Sequence, residues 1–131
     1  MERSKVLSAL SALAHEARLD LVRLLVPKGD TGMAAGDIGR ALGLPASRLS
    51  FHLSALEQAG LIRSRRVSRN VIYTADLAGI GGAISYLLAD CCMDHPDVLA
   101  CCAASASQAL DRVAAGDSAP RLPLTPPSQE P

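Results

Sequence analysis

Apolar positions near the start of the chain recur at helical spacing. Val6, Leu7, Leu10, Leu13 and Ala14 lie on one stripe of a helix over 3–14. Leu19, Val22, Leu24, Leu25 and Val26 carry the pattern over 15–26, where Pro27 and Gly29 stop it. The segment KGDTG reads as a turn. Two short helices follow over 34–42 and 45–59, separated only by Gly43 and Leu44. A short helix, a tight glycine turn and a second helix make a helix-turn-helix. Pro45 suits the first turn of the second helix, where a missing N–H costs little. On a helical wheel Leu49, Leu53 and Leu56 share one arc and must face a core.

The opposite arc holds Ser47, Phe51, Ser54 and Gln58, flanked by Arg48 and Ser50. An outward Phe among Ser and Arg suits a recognition helix. Polar groups there read base edges, and an apolar one touches a thymine methyl. Gly60 ends this helix, and LIRSRRVSRNVIYT predicts two short strands over 61–66 and 71–74, joined around 67–70. The hairpin carries Arg63, Arg65, Arg66 and Arg69 with no acid among them. A helix-turn-helix with such a hairpin is a winged helix, and wing arginines contact phosphates or enter the minor groove. Asp76 caps a final helix to about position 90, with Leu77, Ile80, Ile84, Leu87 and Leu88 as its apolar stripe. Gly79, Gly81 and Gly82 weaken its start.

Composition narrows the fold further. The chain has 131 residues and is 49% hydrophobic but 2% aromatic, so its core must be built from Leu, Ile, Val and Ala. The fold class that follows is mainly α with a small β-hairpin wing. An ordered core of about ninety residues is marginal alone. The apolar first and last helices therefore predict a homodimer, whose two reading heads suit a palindromic double-stranded operator with half-sites about a helical turn apart or a multiple of it. Three regions are expected: 1–92 for DNA binding and dimerisation, 91–113 carrying the cysteines, and 114–131 as a disordered tail. Positions 120–131 read PRLPLTPPSQEP, with five prolines in twelve residues and little to bury.

The formal net charge is zero, which at first argues against nucleic acid. Its distribution reverses that reading. Residues 1–75 hold eleven basic and six acidic side chains, a balance of +5; residues 76–131 hold two and seven, a balance of −5. Steering fields depend on where charge lies, so the first region suits an anionic partner. No secretory signal or membrane-spanning stretch is visible, which predicts a cytoplasmic protein without a membrane partner. Nor is there a nucleophile–base constellation or a phosphate-cradling glycine loop, so an enzyme is not expected.

All four cysteines fall in DCCMDHPDVLACC, as the pairs Cys91–Cys92 and Cys101–Cys102 with Pro96 favouring a turn between them. Clustered thiols in a reducing compartment point to metal binding or redox chemistry more than to structural disulfides. Thiolates select soft or borderline acceptors such as Cu(I), zinc and thiophilic metalloids. The same spacing serves a redox reading, in which Cys92 and Cys101 close a disulfide or persulfide bridge. Four small hydrophobes that merely happen to be Cys would not collect outside the core.

The stretches LSALAHEARLDLVRLL and DIGRALGLPASRLSFHLSALEQAGLI, followed by the wing ending in VIYT, resemble the ArsR/SmtB family of winged-helix repressors over roughly 5–90. The resemblance implies a homodimeric repressor whose operator affinity falls when a metal or metalloid binds. His52 belongs to the family's helix motif, and its place beside the buried arc makes it a hydrogen-bonded structural residue. His15 has a similarly local role, and His95 is expected to be exposed. Two sensor sites of the family are missing here: MAAGDIG lacks a Cys-x-Cys, and the last helix has no histidine. The chain resembles instead the arsenic-responsive members with a Cys-Cys pair after the last helix and a third cysteine further on. Cys91 and Cys92 match that pair, and Cys101 or Cys102 matches the third. The implied inducer is arsenic(III) or methylarsenic(III), with no cofactor required. The alternatives are a thiol-redox or persulfide sensor, or a sensor of Cd, Pb or Zn.

Overall fold

A computed structural model of the chain describes residues 1–114. The expected tail over 114–131 lies, beyond Ala114, outside the described residues. The chain divides into two compact units, Met1–Cys91 and the residues from Cys92 onward.

In the first unit the order is α1 (Arg3–Leu13), α2 (Glu16–Leu25), a 3-10 segment (Val26–Thr31), β1 (Met33–Ala34), α3 (Ala35–Leu42), α4 (Ala46–Gln58), β2 (Ile62–Val67), β3 (Asn70–Ala75) and α5 (Leu77–Tyr86). A π-helical turn, Leu87–Cys91, closes it. The second unit carries α6, Pro96–Ala114.

The core is aliphatic, as the composition requires. Ala9 and Ala12 from α1, Leu21, Val22 and Leu25 from α2, Ile38 from α3, and Leu49, Leu53 and Leu56 from α4 meet Leu61, Ile62 and Ala83. Full burial of one such leucine stabilises the fold by about 1.5–3 kcal/mol. Gly43, left-handed at φ 66°, ends α3 and turns the chain into α4. Pro45 is the residue just before α4 rather than in its first turn, and its carbonyl accepts from Leu49 N at 2.9 Å.

The hairpin is antiparallel and registered from Ile62 opposite Ala75 to Val67 opposite Asn70. Its two-residue turn holds Ser68 at φ 59°. At the other end Asp76 N donates to Leu61 O at 2.8 Å, and Asp76 Oδ1 caps α5 by accepting from Gly79 N at 3.0 Å. Gly79 is required there because a Cβ would lie 1.9 Å from the carbonyl oxygen of Gly60. The first turn of α5 is thus seated on the turn that closes α4.

Four further features differ from the sequence reading. The first four residues of KGDTG belong to the 3-10 segment, which is interrupted at Gly29 and ends before Gly32. The wing belongs to a three-stranded sheet of order β1-β3-β2, because Met33 and Ala34 pair with Tyr73 and Ile72. The helix after the wing is α-helical only to Tyr86, and the side chain it buries is Ala83, while Leu77 and Ile84 stay exposed. Finally, Pro96 does not make a turn between the thiol pairs; it begins α6. Proline is tolerated at a helix start because the N–H it lacks has no intrahelical acceptor there.

Candidate functional site

The outward face of α4 is as the wheel places it. Ser47, Arg48, Ser50, Phe51, Ser54 and Gln58 are exposed, while Leu49, Leu53 and Leu56 are buried. Phe51 is the conspicuous member, 64% exposed despite its apolar ring. It does not stand alone: the guanidinium carbon of Arg18, from α2, lies 5.4 Å from the ring centroid. A cation over an aromatic face is attracted by the ring quadrupole.

Arg18 also reaches the neighbouring residue. Its Nε donates to His52 Nδ1 at 3.1 Å. His52 is the one buried polar side chain among the described residues, and this bond satisfies it. The His15 ring sits 4.5 Å from that of His52, and His15 Nδ1 accepts from Ala17 N at 3.2 Å to cap α2. Burial first, then the charges of His15, Arg18 and Arg48, hold the His52 pKa below its ordinary value of 6.5. The imidazole is thereby kept neutral, as an acceptor for Arg18 must be. Both histidines have the local roles expected of them. Arg18, which joins the start of α2 to Phe51 and His52 on α4, was not singled out by the sequence.

The four wing arginines are not equivalent. Arg63 lies 3.6 Å from Asp76 Oδ2 as an ion pair. Arg65 donates from its two terminal nitrogens to Asp30 O at 2.8 Å and Thr31 O at 3.2 Å, in the 3-10 segment. Between them Ser64 Oγ donates to Glu57 on α4. The side chains of Arg66 and Arg69, like that of Arg48, make no hydrogen bond or ion pair among the described residues.

Of the thiols, Cys91 closes the π-helical turn and is exposed, and Cys92 is half-buried. Met93 and Asp94 both take left-handed φ of 52°. His95, before α6, accepts from Asp97 N at 3.1 Å through Nδ1 and is exposed, as expected. Cys101 and Cys102 are exposed neighbours on α6. Among the described residues no three or more His, Cys, Asp or Glu side chains already stand together as a metal cluster. No described helix is long and apolar enough to cross a membrane.

Known proteins share the reading head. A family model described as a helix-turn-helix domain matches residues 13–65. The HTH-type transcriptional regulator YgaV of Escherichia coli (strain K12) is 33% identical over 78 residues, which are 60% of this chain and 77% of that protein. Reduced HlyU from Vibrio cholerae N16961 superposes with a TM-score of 0.54 at 30% identity, over 65% of this chain and 86% of that one. The homodimeric winged helix-turn-helix DNA-binding domain (fragment 1–100) of Mb0332 from Mycobacterium bovis, described as a possible ArsR-family regulator, gives 0.54 at 28% identity, over 70% and 84%. These relatives are transcriptional regulators rather than enzymes. With a recognition helix, an arginine wing and these likenesses together, the chain belongs to the ArsR/SmtB family of winged-helix DNA-binding transcriptional regulators.

Proposed function

We propose that the protein is a cytoplasmic, homodimeric repressor that leaves a palindromic operator when arsenic(III), as arsenite or methylarsenite, binds its thiolates. The observation that carries the inducer is the placement of all four cysteines within the twelve positions from Cys91 to Cys102, three of them exposed. Cys91 and Cys92 supply two thiolates and Cys101 or Cys102 the third. Three sulfurs suit the pyramidal preference of trivalent arsenic, and two suffice for a methylated arsenical. No metal or metalloid is required for the reading head itself.

Dimerisation is supported by apolar side chains that the single chain leaves in water. Leu7 and Leu10 on α1, and Leu77 and Ile84 on α5, are exposed. These two helices pack against each other, so their outer faces form a natural partner surface. The Mycobacterium bovis relative, a homodimer, supports the same assembly. Ser47, Arg48, Ser50, Phe51 and Ser54 then read the major groove, and wing arginines engage the backbone.

Release follows from linkage. A ligand shifts an equilibrium only by its different affinity for two states. Cys91 ends the helical run whose first turn is seated against Gly60, so ligation at Cys91 would act on the same compact unit as α4.

The test is operator binding at several salt concentrations, with arsenite, methylarsenite, cadmium, lead, zinc and peroxide added separately. Arsenic(III) is expected to release the DNA, and a dithiol competitor to restore binding. Release by peroxide and not by arsenic(III) would contradict the metalloid reading. That outcome would favour thiol redox sensing, the second reading, in which Cys92 and Cys101 are the thiols that pair. Selective release by cadmium, lead or zinc would instead assign a different thiophilic inducer.

A further inference from the structure

Four arginines on a wing invite the same role for all four, but the structure divides them. Along β2 side chains alternate between faces, so Arg63 and Arg65 share one face and Arg66 lies on the other. The two that share a face are both engaged within the protein. Arg65 spans two consecutive carbonyls of the 3-10 segment, at 2.8 and 3.2 Å. Its planar fork matches such a pair of acceptors as lysine's single ammonium does not. Arg63 pairs with Asp76, whose other carboxylate oxygen caps α5. The side chains of Arg66 and Arg69 have no hydrogen-bond or ion-pair partner among the described residues.

We infer that Arg63 and Arg65 are positioning residues that brace the wing against the body of the reading head, while Arg66 and Arg69 carry its phosphate contacts. A two-stranded ribbon is marginally stable by itself. The wing projects past β1, which covers β3 only at Ile72 and Tyr73. Arg65, opposite Ile72 in the register, ties the ribbon where this third strand ends. Arg63, opposite Thr74, ties its base to the first turn of α5. These braces fix the direction in which Arg66 and Arg69 are presented.

The inference rests on DNA binding by this wing, and salt dependence separates the two roles. A phosphate contact releases counterions and steepens the fall of log K with log salt, whereas a brace alters affinity without changing the number of ions released. The full chain is titrated onto a duplex that it has itself selected from a random pool, at several KCl concentrations. Arg66→Gln and Arg69→Gln are each expected to reduce the slope by about 0.9 per phosphate contact removed. Arg63→Gln and Arg65→Gln are expected to keep the unsubstituted slope and to weaken binding by the same factor at every salt concentration: on the order of tenfold for Arg65→Gln, which loses two hydrogen bonds to backbone carbonyls, and about two- to threefold for Arg63→Gln, which loses an exposed ion pair.

Arg65→Lys retains the charge and loses the fork, so it should weaken binding as Arg65→Gln does. A slope lost in Arg65→Gln and recovered in Arg65→Lys would make Arg65 a phosphate contact and overturn the division. An unchanged slope in both Arg66→Gln and Arg69→Gln would overturn it equally. Binding of the unsubstituted chain that showed no salt dependence would instead remove the DNA-contact reading beneath it.

Discussion

In the reading head, side chains aimed outward are held from behind by other elements. Arg18 of α2 supports Phe51 and bonds His52, the 3-10 segment holds Arg65, and Asp76 links Arg63 to the start of α5. In the cysteine segment three of the four thiols stand exposed, on a helical turn and on α6. A surface that must match a rigid duplex benefits from being organised in advance, because ordering it during binding would subtract from affinity. Soft-ligand capture asks for something else. Exposed thiols can be reached by a ligand from solvent.

That contrast gives unequal costs of substitution. Leu53→Ala, on the buried side of α4, removes a side chain only 3% exposed and should destabilise the protein by about 2–5 kcal/mol in chemical denaturation. Cys102→Ser, at an exposed site, should stay within about 0.5 kcal/mol of the parent. A comparable loss in both would mean that the thiol segment is part of the folded core and erase the contrast.

Gly79→Ala comes next. Its Cβ would meet the Gly60 carbonyl oxygen at 1.9 Å, so backbone must shift. A loss of about 1–3 kcal/mol is expected in the same measurement. Gly81, with nothing within 4 Å of the corresponding Cβ, is the control: Gly81→Ala should hold or slightly raise stability. Equal behaviour of the two would show that the first turn of α5 is not seated on the reading head.

A smaller effect follows from pH. His52 has a folded-state pKa below its ordinary value of 6.5, so the unfolded chain binds its proton first as pH falls. The stability from neutral His52 is present above that ordinary value and is lost as pH falls through the lower folded-state value. Thermal melts across this window should show stability declining on acidification, with a shallower decline in His52→Gln. An identical decline in both would assign the acid sensitivity to other groups.

Much of the reading head was legible because its signals are local. Leucine spacing, Gly43, Pro45 and Gly60 mark the two helices and their boundaries, and Asp76 announces its cap. The missed features are either long-range or too short to leave a pattern. Arg18 meets Phe51 and His52 only after α2 and α4 come together, and nothing near Arg18 in the chain announces it. The two residues of β1 cannot display an alternation. For α6 a signal was present: His95 followed by Pro96 and Asp97 is a cap, a first-turn proline and an acid at a helix start. Proline serves a turn and a helix start alike, so Pro96 alone does not distinguish them. The wing arginines were legible as charge, but their partners in the 3-10 segment and at Asp76 required the folded chain.

DNA binding through α4 and the wing should be separable from ligand capture by the thiols, and a single variant distinguishes the two. The full chain with Cys91, Cys92, Cys101 and Cys102 all changed to Ser is titrated onto operator DNA with and without arsenite, beside the unsubstituted protein. Without arsenite its affinity and salt slope should be unchanged, and with arsenite it should stay on the DNA while the parent is released. Retained release by arsenite, or loss of DNA binding before any is added, would contradict that separation.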